Sequence, residues 1–94
     1  LTQRYILDGE FFGVAFTLRE AQVMLLIIGG LTNKKAGEVL GLSPRTTEFY
    51  IRNMRKKTET LSKLHLIERV SQTNFLSIID FSRSELMCGE EDAR

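Results

Sequence analysis

Four consecutive residues, Gly41-Leu42-Ser43-Pro44, force a helix to stop and another to start within a few residues of each other. Gly41 can take the left-handed conformation that ends a helix. Ser43 offers a hydroxyl oxygen to the free amides of a new one, and Pro44 presets the backbone of a first helical position, where its missing N–H is not needed. Two helices therefore meet here across a tight turn, and the same punctuation recurs along the chain. Thr17 with Glu20 three residues on forms a capping box ahead of an apolar run, which predicts a helix over Leu18–Ile28, stopped by Gly29-Gly30. Thr32 caps a short helix over Asn33–Leu40. The helix that starts at Pro44 runs to about Thr58, and a fourth from Ser62 to about Val70 carries Leu64, Leu66, Ile67 and Val70.

The third of these helices has two faces that spacing separates. Thr47, Ile51, Met54 and Thr58 recur at helical intervals and belong on the core side, whereas Arg45, Phe49, Arg52 and Lys56 repeat the same spacing on the other side, with Glu48 beside them. The formal net charge of +1 averages two regions of opposite sign. From Arg45 to Lys63 six basic residues (Arg45, Arg52, Arg55, Lys56, Lys57, Lys63) stand against Glu48 and Glu59, a net +4. From Glu85 to Arg94 four acids (Glu85, Glu90, Glu91, Asp92) stand against Arg94, a net −3. A basic stretch matters because phosphate neutralisation supplies most non-specific affinity for nucleic acid. On charge alone a solvated surface face is the simpler reading.

Composition narrows the function classes. Ninety-four residues make one domain with a modest core, and 43% hydrophobic with 27% charged residues is ordinary for a globular chain. Cys88 is the lone cysteine, so neither an internal disulfide nor a cysteine metal cluster can form, which fits a reducing cytoplasm. The longest apolar run, Val23 to Ile28, is far too short to span a bilayer and follows Arg19 and Glu20, so no membrane partner is expected. A chain opening at Leu1 rather than methionine is expected to be a piece of something longer, with an upstream regulatory domain elsewhere. Residues 1–15 read as an N-terminal segment: Arg4–Leu7 and Phe11–Phe16, joined by Asp8-Gly9-Glu10, form either a hairpin or a linker. Residues 71–94 read as a helical extension carrying Phe75, Leu76, Ile78, Ile79 and Phe81, followed by a frayed acidic end.

Two short helices joined at Gly41-Leu42-Ser43, the second basic and outward-facing, make a helix-turn-helix, and about four turns of helix suit a major groove about 12 Å wide. The residues also resemble a known family. Phe16-Thr17-Leu18-Arg19-Glu20-Ala21-Gln22-Val23-Met24, Gly30-Leu31-Thr32-Asn33-Lys34-Lys35 and Leu40-Gly41-Leu42-Ser43-Pro44-Arg45-Thr46 are similar to the LuxR-type (GerE-like) helix-turn-helix domains of bacterial transcription regulators. The resemblance runs ungapped from Phe16 through Ser62-Lys63 to about Ile67, and the helix-turn-helix unit is taken as residues 16–70. It implies an all-α, four-helix module at the C-terminus of a regulator that binds double-stranded DNA, often as a homodimer joined through its last helix, and that works with RNA polymerase without any cofactor. Position by position, Lys34 and the segment with Ser43, Arg45 and Thr46 match positions that hold the DNA backbone in the family, with Lys56 expected as a further backbone contact from its charge, and Glu48, Phe49 and Arg52 match positions that face the bases. In that role Arg52 could give two hydrogen bonds to guanine, Glu48 could accept from cytosine and Phe49 could lie against a thymine methyl. Glu48 and Arg52, four apart, can equally pair with each other. Lys56, Lys57 and Lys63 suit phosphate contact or plain solvated surface. Leu64, Ile67 and Val70 could form a two-fold seam or cover the domain's own core.

Departures from the family pattern carry expectations of their own. The family has a branched apolar residue at Thr47, a larger one at Ala36, a leucine at Thr58 and a glycine at Glu59, so this chain has a smaller core and a stiffer turn. Leu25 and Ile28 are apolar where the family is polar or small, and are expected to pack against Tyr5–Val14 or Phe75–Phe81. An enzyme is disfavoured: His65 is the lone histidine and far in sequence from Cys88, Gly29-Gly30 lacks the spacing of a phosphate-cradling loop, and Glu90 and Glu91 lie in the acidic tail. The competing readings are a protein-interaction module that keeps the helix-turn-helix shape, and a sigma-factor-like promoter-binding domain.

Overall fold

Each of the four long helices begins on a side chain that accepts from one of its free amides. The structure is a computed structural model and describes residues 4–78; Ile79, Phe81, Cys88 and the acidic end lie outside the described residues. The elements run β1 (Arg4–Ile6), β2 (Ala15–Thr17), α1 (Leu18–Ile28), α2 (Asn33–Leu40), α3 (Pro44–Thr58) and α4 (Lys63–Ser71), with residues 75–78 helical after a turn. Thr17 and Glu20 close a reciprocal capping box on α1, and the hydroxyls of Thr32, Ser43 and Ser62 accept from Lys35, Thr46 and His65 amides to open α2, α3 and α4.

The turn between α2 and α3 is fixed by two backbone hydrogen bonds and by a missing methyl. Leu42 N donates to Gly37 O (2.7 Å) and Gly41 N to Glu38 O (3.3 Å), the crossed pair that ends a helix on a left-handed residue, here Gly41 at φ 73°. Gly37 faces the start of α3: a Cβ there would lie 2.7 Å from both Leu42 O and Thr47 Oγ1. Its absence lets α3 cross close over α2. Thr47, where the resemblance led to a branched apolar residue being expected, donates its hydroxyl to Ser43 O (3.0 Å) and is fully buried without an unsatisfied group.

Of the two readings left open for the N-terminal segment, hairpin or linker, the structure has a hairpin, but not through a tight Asp-Gly turn. β1 and β2 pair antiparallel as Arg4↔Thr17, Tyr5↔Phe16 and Ile6↔Ala15. Between them Gly9–Phe11 make a 3-10 turn that tucks Phe11 into the core, so Phe11 and Phe12 are not strand residues. One hydrophobic cluster joins Tyr5, Leu7, Phe11 and Phe16 to Met24 and Ile27 of α1, Ile51 and Met54 of α3, Leu66 and Val70 of α4, and Phe75. Phe16 and Phe75 meet edge to face with centroids 5.9 Å apart, worth about 0.5–1.5 kcal/mol beyond the area they bury. Leu25 and Ile28 are half-buried and pack against this cluster, to which the hairpin and Phe75 also belong.

Hairpin and C-terminal turn are also bolted together. Asp8 N donates to Asn74 Oδ1 (3.0 Å) and Asn74 N to Asp8 Oδ1 (2.9 Å), a reciprocal pair across 66 residues, while Arg69 of α4 reaches Glu10 at 2.8 Å. The segments on either side of the four helices thus fold onto one another and onto the shared core.

Candidate nucleic-acid interface

α3 divides as its spacing requires. Thr47, Ile51, Met54 and Thr58 are buried, whereas Arg45, Glu48, Phe49, Arg52 and Lys56 are all exposed. Phe49 keeps half its surface open although its ring meets Tyr50 edge to face at 5.6 Å. An apolar ring left in water on a basic helix is available for contact with something apolar. Among the described residues Glu48 and Arg52 make no ion pair with each other, so both head groups are unspent.

The amino ends of α2 and α3 frame this face. At α3, Pro44 has no N–H, Thr46 N is taken by Ser43 Oγ (3.1 Å) and Thr47 N by Ser43 O (3.0 Å), which leaves Arg45 N open. Ser43 Oγ in turn donates to Thr46 Oγ1 (3.0 Å), so the proton still free to reach an outside acceptor is that of Thr46. At α2, Thr32 satisfies Lys35 N and Ala36 N, while the amides of Asn33 and Lys34 remain open beside the exposed Lys34 side chain. Open amides at the positive end of a helix dipole favour an anion.

The basic run is not one uniform surface. Lys57, grouped by sequence with the outward lysines, turns inward: its Nζ donates to Glu20 Oε1 (2.6 Å) and to Ala15 O (2.9 Å). The same Glu20 oxygen accepts from Thr17 N (2.9 Å), and the carboxylate is almost wholly buried, so Lys57 locks α3 to the head of α1 rather than meeting a partner. Arg55 donates to Leu61 O and pins the turn after α3. That turn runs through Glu59 at φ 56°, ψ 39°, left-handed backbone that favours glycine, the residue the resemblance led us to expect there. Thr58, in place of a leucine, donates to Met54 O (2.8 Å) and lies 3.0 Å from the Thr60 hydroxyl.

On α4 the three seam candidates separate. Val70 is fully buried within this chain's own core and Ile67 is half-buried against it. Leu64 is 78% exposed and Leu61, just before α4, is 81% exposed. Val70 therefore belongs to the interior, and a two-fold seam would have to use Leu64 with the open edge of Ile67. Two polar groups beside the outer face of α3 were not among the contacts expected from sequence: Asn33 and Arg55 each bury an atom without a hydrogen-bond partner. Their position, in the first turn of one helix and the last turn of another, gives no periodic signal.

Residues 14–70 match the family model of bacterial regulatory proteins described as the luxR family. The chain belongs to this family. Among its curated relatives, this LuxR-family chain is 35% identical over 63 residues to a probable transcriptional regulator, ycf29, of Porphyra purpurea, covering 67% of this chain and 30% of that protein. It is 32% identical over 56 residues to the transcriptional activator protein CarR of Pectobacterium carotovorum subsp. carotovorum, covering 60% of this chain and 23% of that protein. A second ycf29, of Cyanophora paradoxa, is 31% identical over 64 residues. The LuxR-family chain spans less than a third of the length of these relatives. No solved structure matches it. Among the described residues no helix is long and apolar enough to cross a membrane.

Proposed function

We propose that this domain binds double-stranded DNA sequence-selectively, as the DNA-reading part of a longer transcription regulator. The observation that carries the reading is the outer face of α3, where Arg45, Glu48, Phe49, Arg52 and Lys56 are all exposed while the opposite face is held in the core. α3 enters the major groove. Arg52 reads guanine, Glu48 accepts from cytosine, and the open Phe49 ring lies on a thymine methyl. Lys34 with the open α2 amides, Arg45 N, the Ser43-Thr46 hydroxyl relay and Lys56 hold backbone phosphates on either side. Two copies pair through Leu64 and Ile67 on α4, which sets the spacing of two half-sites. In the whole protein an upstream regulatory domain controls this binding and RNA polymerase receives the output.

Base and phosphate roles predict different losses. Arg52→Ala is expected to cost about 1–3 kcal/mol at the preferred site and to relax selectivity at one base pair, whereas Lys56→Ala weakens all sequences about equally. Selection from randomised duplexes with both variants measures this. An Arg52→Ala protein that selects the wild-type sequence with undiminished affinity would remove Arg52 from the readout.

A further inference from the structure

A concavity of about 230 Å³ lies beside the proposed base-reading residues, walled by three helices. Asn33 comes from the first turn of α2, Glu48, Ile51, Arg52 and Arg55 from α3, and Lys63 from the first position of α4. Three of its groups are cations and one is an acid, so it is net positive. Two helix amino ends meet there, both eight residues long or more, and their dipoles add to the same sign. The amides of Asn33 and Lys34 on α2, and of Lys63 and Leu64 on α4, have no hydrogen-bond partner, because Ser62 serves His65 and Leu66 instead.

Two buried polar atoms in this wall point to a ligand independently of charge. Arg55 Nε is buried and has no acceptor, although Arg55 Nη2 is anchored on Leu61 O. Asn33 Oδ1 is buried and has no donor, and a half-rotation of the carboxamide puts its NH2 in the same place. A buried guanidinium N–H without an acceptor is unfavourable and rare in native proteins, so it marks a place where an acceptor is expected.

We propose that this concavity is a seat for one phosphate of the DNA backbone, held by Arg55, Lys63 and the Asn33 carboxamide. The proposal rests on the DNA-binding reading and adds to it a phosphate clamp immediately beside Arg52. With its tethered guanidinium Arg55 offers Nε at low further cost in side-chain freedom, and Lys63 supplies a point charge from the α4 side. The clamp fixes the register of α3 in the groove, so that Arg52 meets a defined base pair.

Three variants separate the clamp from folding. Lys63→Gln removes a charge that makes no bond in the unbound domain. Asn33→Asp puts a carboxylate at the first position of α2, where the dipole welcomes it, so thermal stability is retained while a phosphate is repelled. Arg55→Gln is the third, with its melting temperature measured because it also frees Leu61 O. Affinity for a short duplex is followed by fluorescence anisotropy across a salt series, and inorganic phosphate is titrated without DNA while the Asn33 and Arg55 side-chain NMR signals are recorded. The expected result is a fall of about 0.9 in the slope of log K against log salt for Lys63→Gln, and a larger affinity loss for Asn33→Asp at unchanged melting temperature. Wild-type binding with unaltered slopes in all three variants overturns the clamp and leaves the DNA reading standing. Saturable phosphate shifts with unaltered slopes assign the site to a free anion and overturn the backbone assignment. Failure of the wild-type chain to bind duplex at low salt overturns the DNA reading and the clamp with it.

Discussion

Replacing Glu59 with glycine should stabilise this domain, an unusual direction for a substitution at a helix end chosen from structure. Glu59 is the one non-glycine residue at positive φ among those described, and it closes α3 at φ 56°, ψ 39°. There the Cβ of an L-residue crowds the following carbonyl, at about 1–2 kcal/mol. Its carboxylate also stands at the negative end of the α3 dipole, which adds about 0.3 kcal/mol. Against this, glycine gains freedom in the unfolded chain, worth about 0.5–1 kcal/mol in the opposite direction. The balance is a gain of about 1 kcal/mol, or roughly 4–8 °C in Tm for a domain of this size. Thermal unfolding followed by far-ultraviolet circular dichroism measures it, with Glu59→Gln as the control that removes the charge and keeps Cβ. The glutamine variant should recover only the few tenths due to the dipole. Equal gains for glutamine and glycine would show that charge, not backbone strain, is what destabilises this position, and a lower Tm for Glu59→Gly would refute the reasoning outright.

Further predictions concern the contacts that hold α3 in place. Gly37→Ala should destabilise by roughly 1–2 kcal/mol despite alanine's better helix propensity, because the new methyl meets a backbone carbonyl and the Thr47 hydroxyl at 2.7 Å; chemical denaturation measures it, and a stabilised variant would mean α2 and α3 are further apart than described. Lys57→Met should cost about 1–2 kcal/mol, less than for a fully buried pair since Lys57 is one-third exposed, and it leaves the Glu20 carboxylate without its cation; an unchanged midpoint of denaturation would place Lys57 among the solvated lysines. Asp8→Ala should release the turn at Asn74, raising amide exchange at Asn74 and Phe75 well before α1 is affected, and exchange that stays slow there would show the reciprocal pair to be dispensable.

Three of the four helices were legible in the sequence because each begins on its own local signal. Thr17 with Glu20, Thr32, and Ser43 with Pro44 cap where they stand, and a cap acts within three residues, so reading it needs no tertiary information; the fourth was read from its apolar residues, and Ser62, counted as its first residue, proves to be its cap. The two faces of α3 were legible for the same reason, since periodicity is a property of the segment. What escaped reading depends on partners far along the chain. Lys57 looks like any lysine in a basic run until Glu20, 37 residues away, is placed against it. Glu20 reads as a helix cap and gives no sign that its carboxylate is buried. Val70 has the spacing of a helix seam, but spacing cannot say whether the surface it meets belongs to the same chain, and here it does. In the N-terminal segment, Asp8-Gly9-Glu10 signalled a turn without deciding between hairpin and linker, and the loop is longer than those three residues because Phe11 is buried through a 3-10 turn. The Asp8–Asn74 pair carries no sequence pattern at all.

Chemical-shift mapping of the 94-residue chain during titration with a short duplex at low salt tests most directly whether the outer face of α3 meets DNA. Non-specific binding suffices for this, because the phosphate contacts do not depend on sequence. Salt-sensitive shifts are expected at Lys34, at Arg45 to Phe49, and at Arg52 and Lys56, with Asp8, Asn74 and the Lys57–Glu20 pair unmoved. Shifts gathered instead on Leu61 and Leu64, or none at any salt concentration, would contradict it.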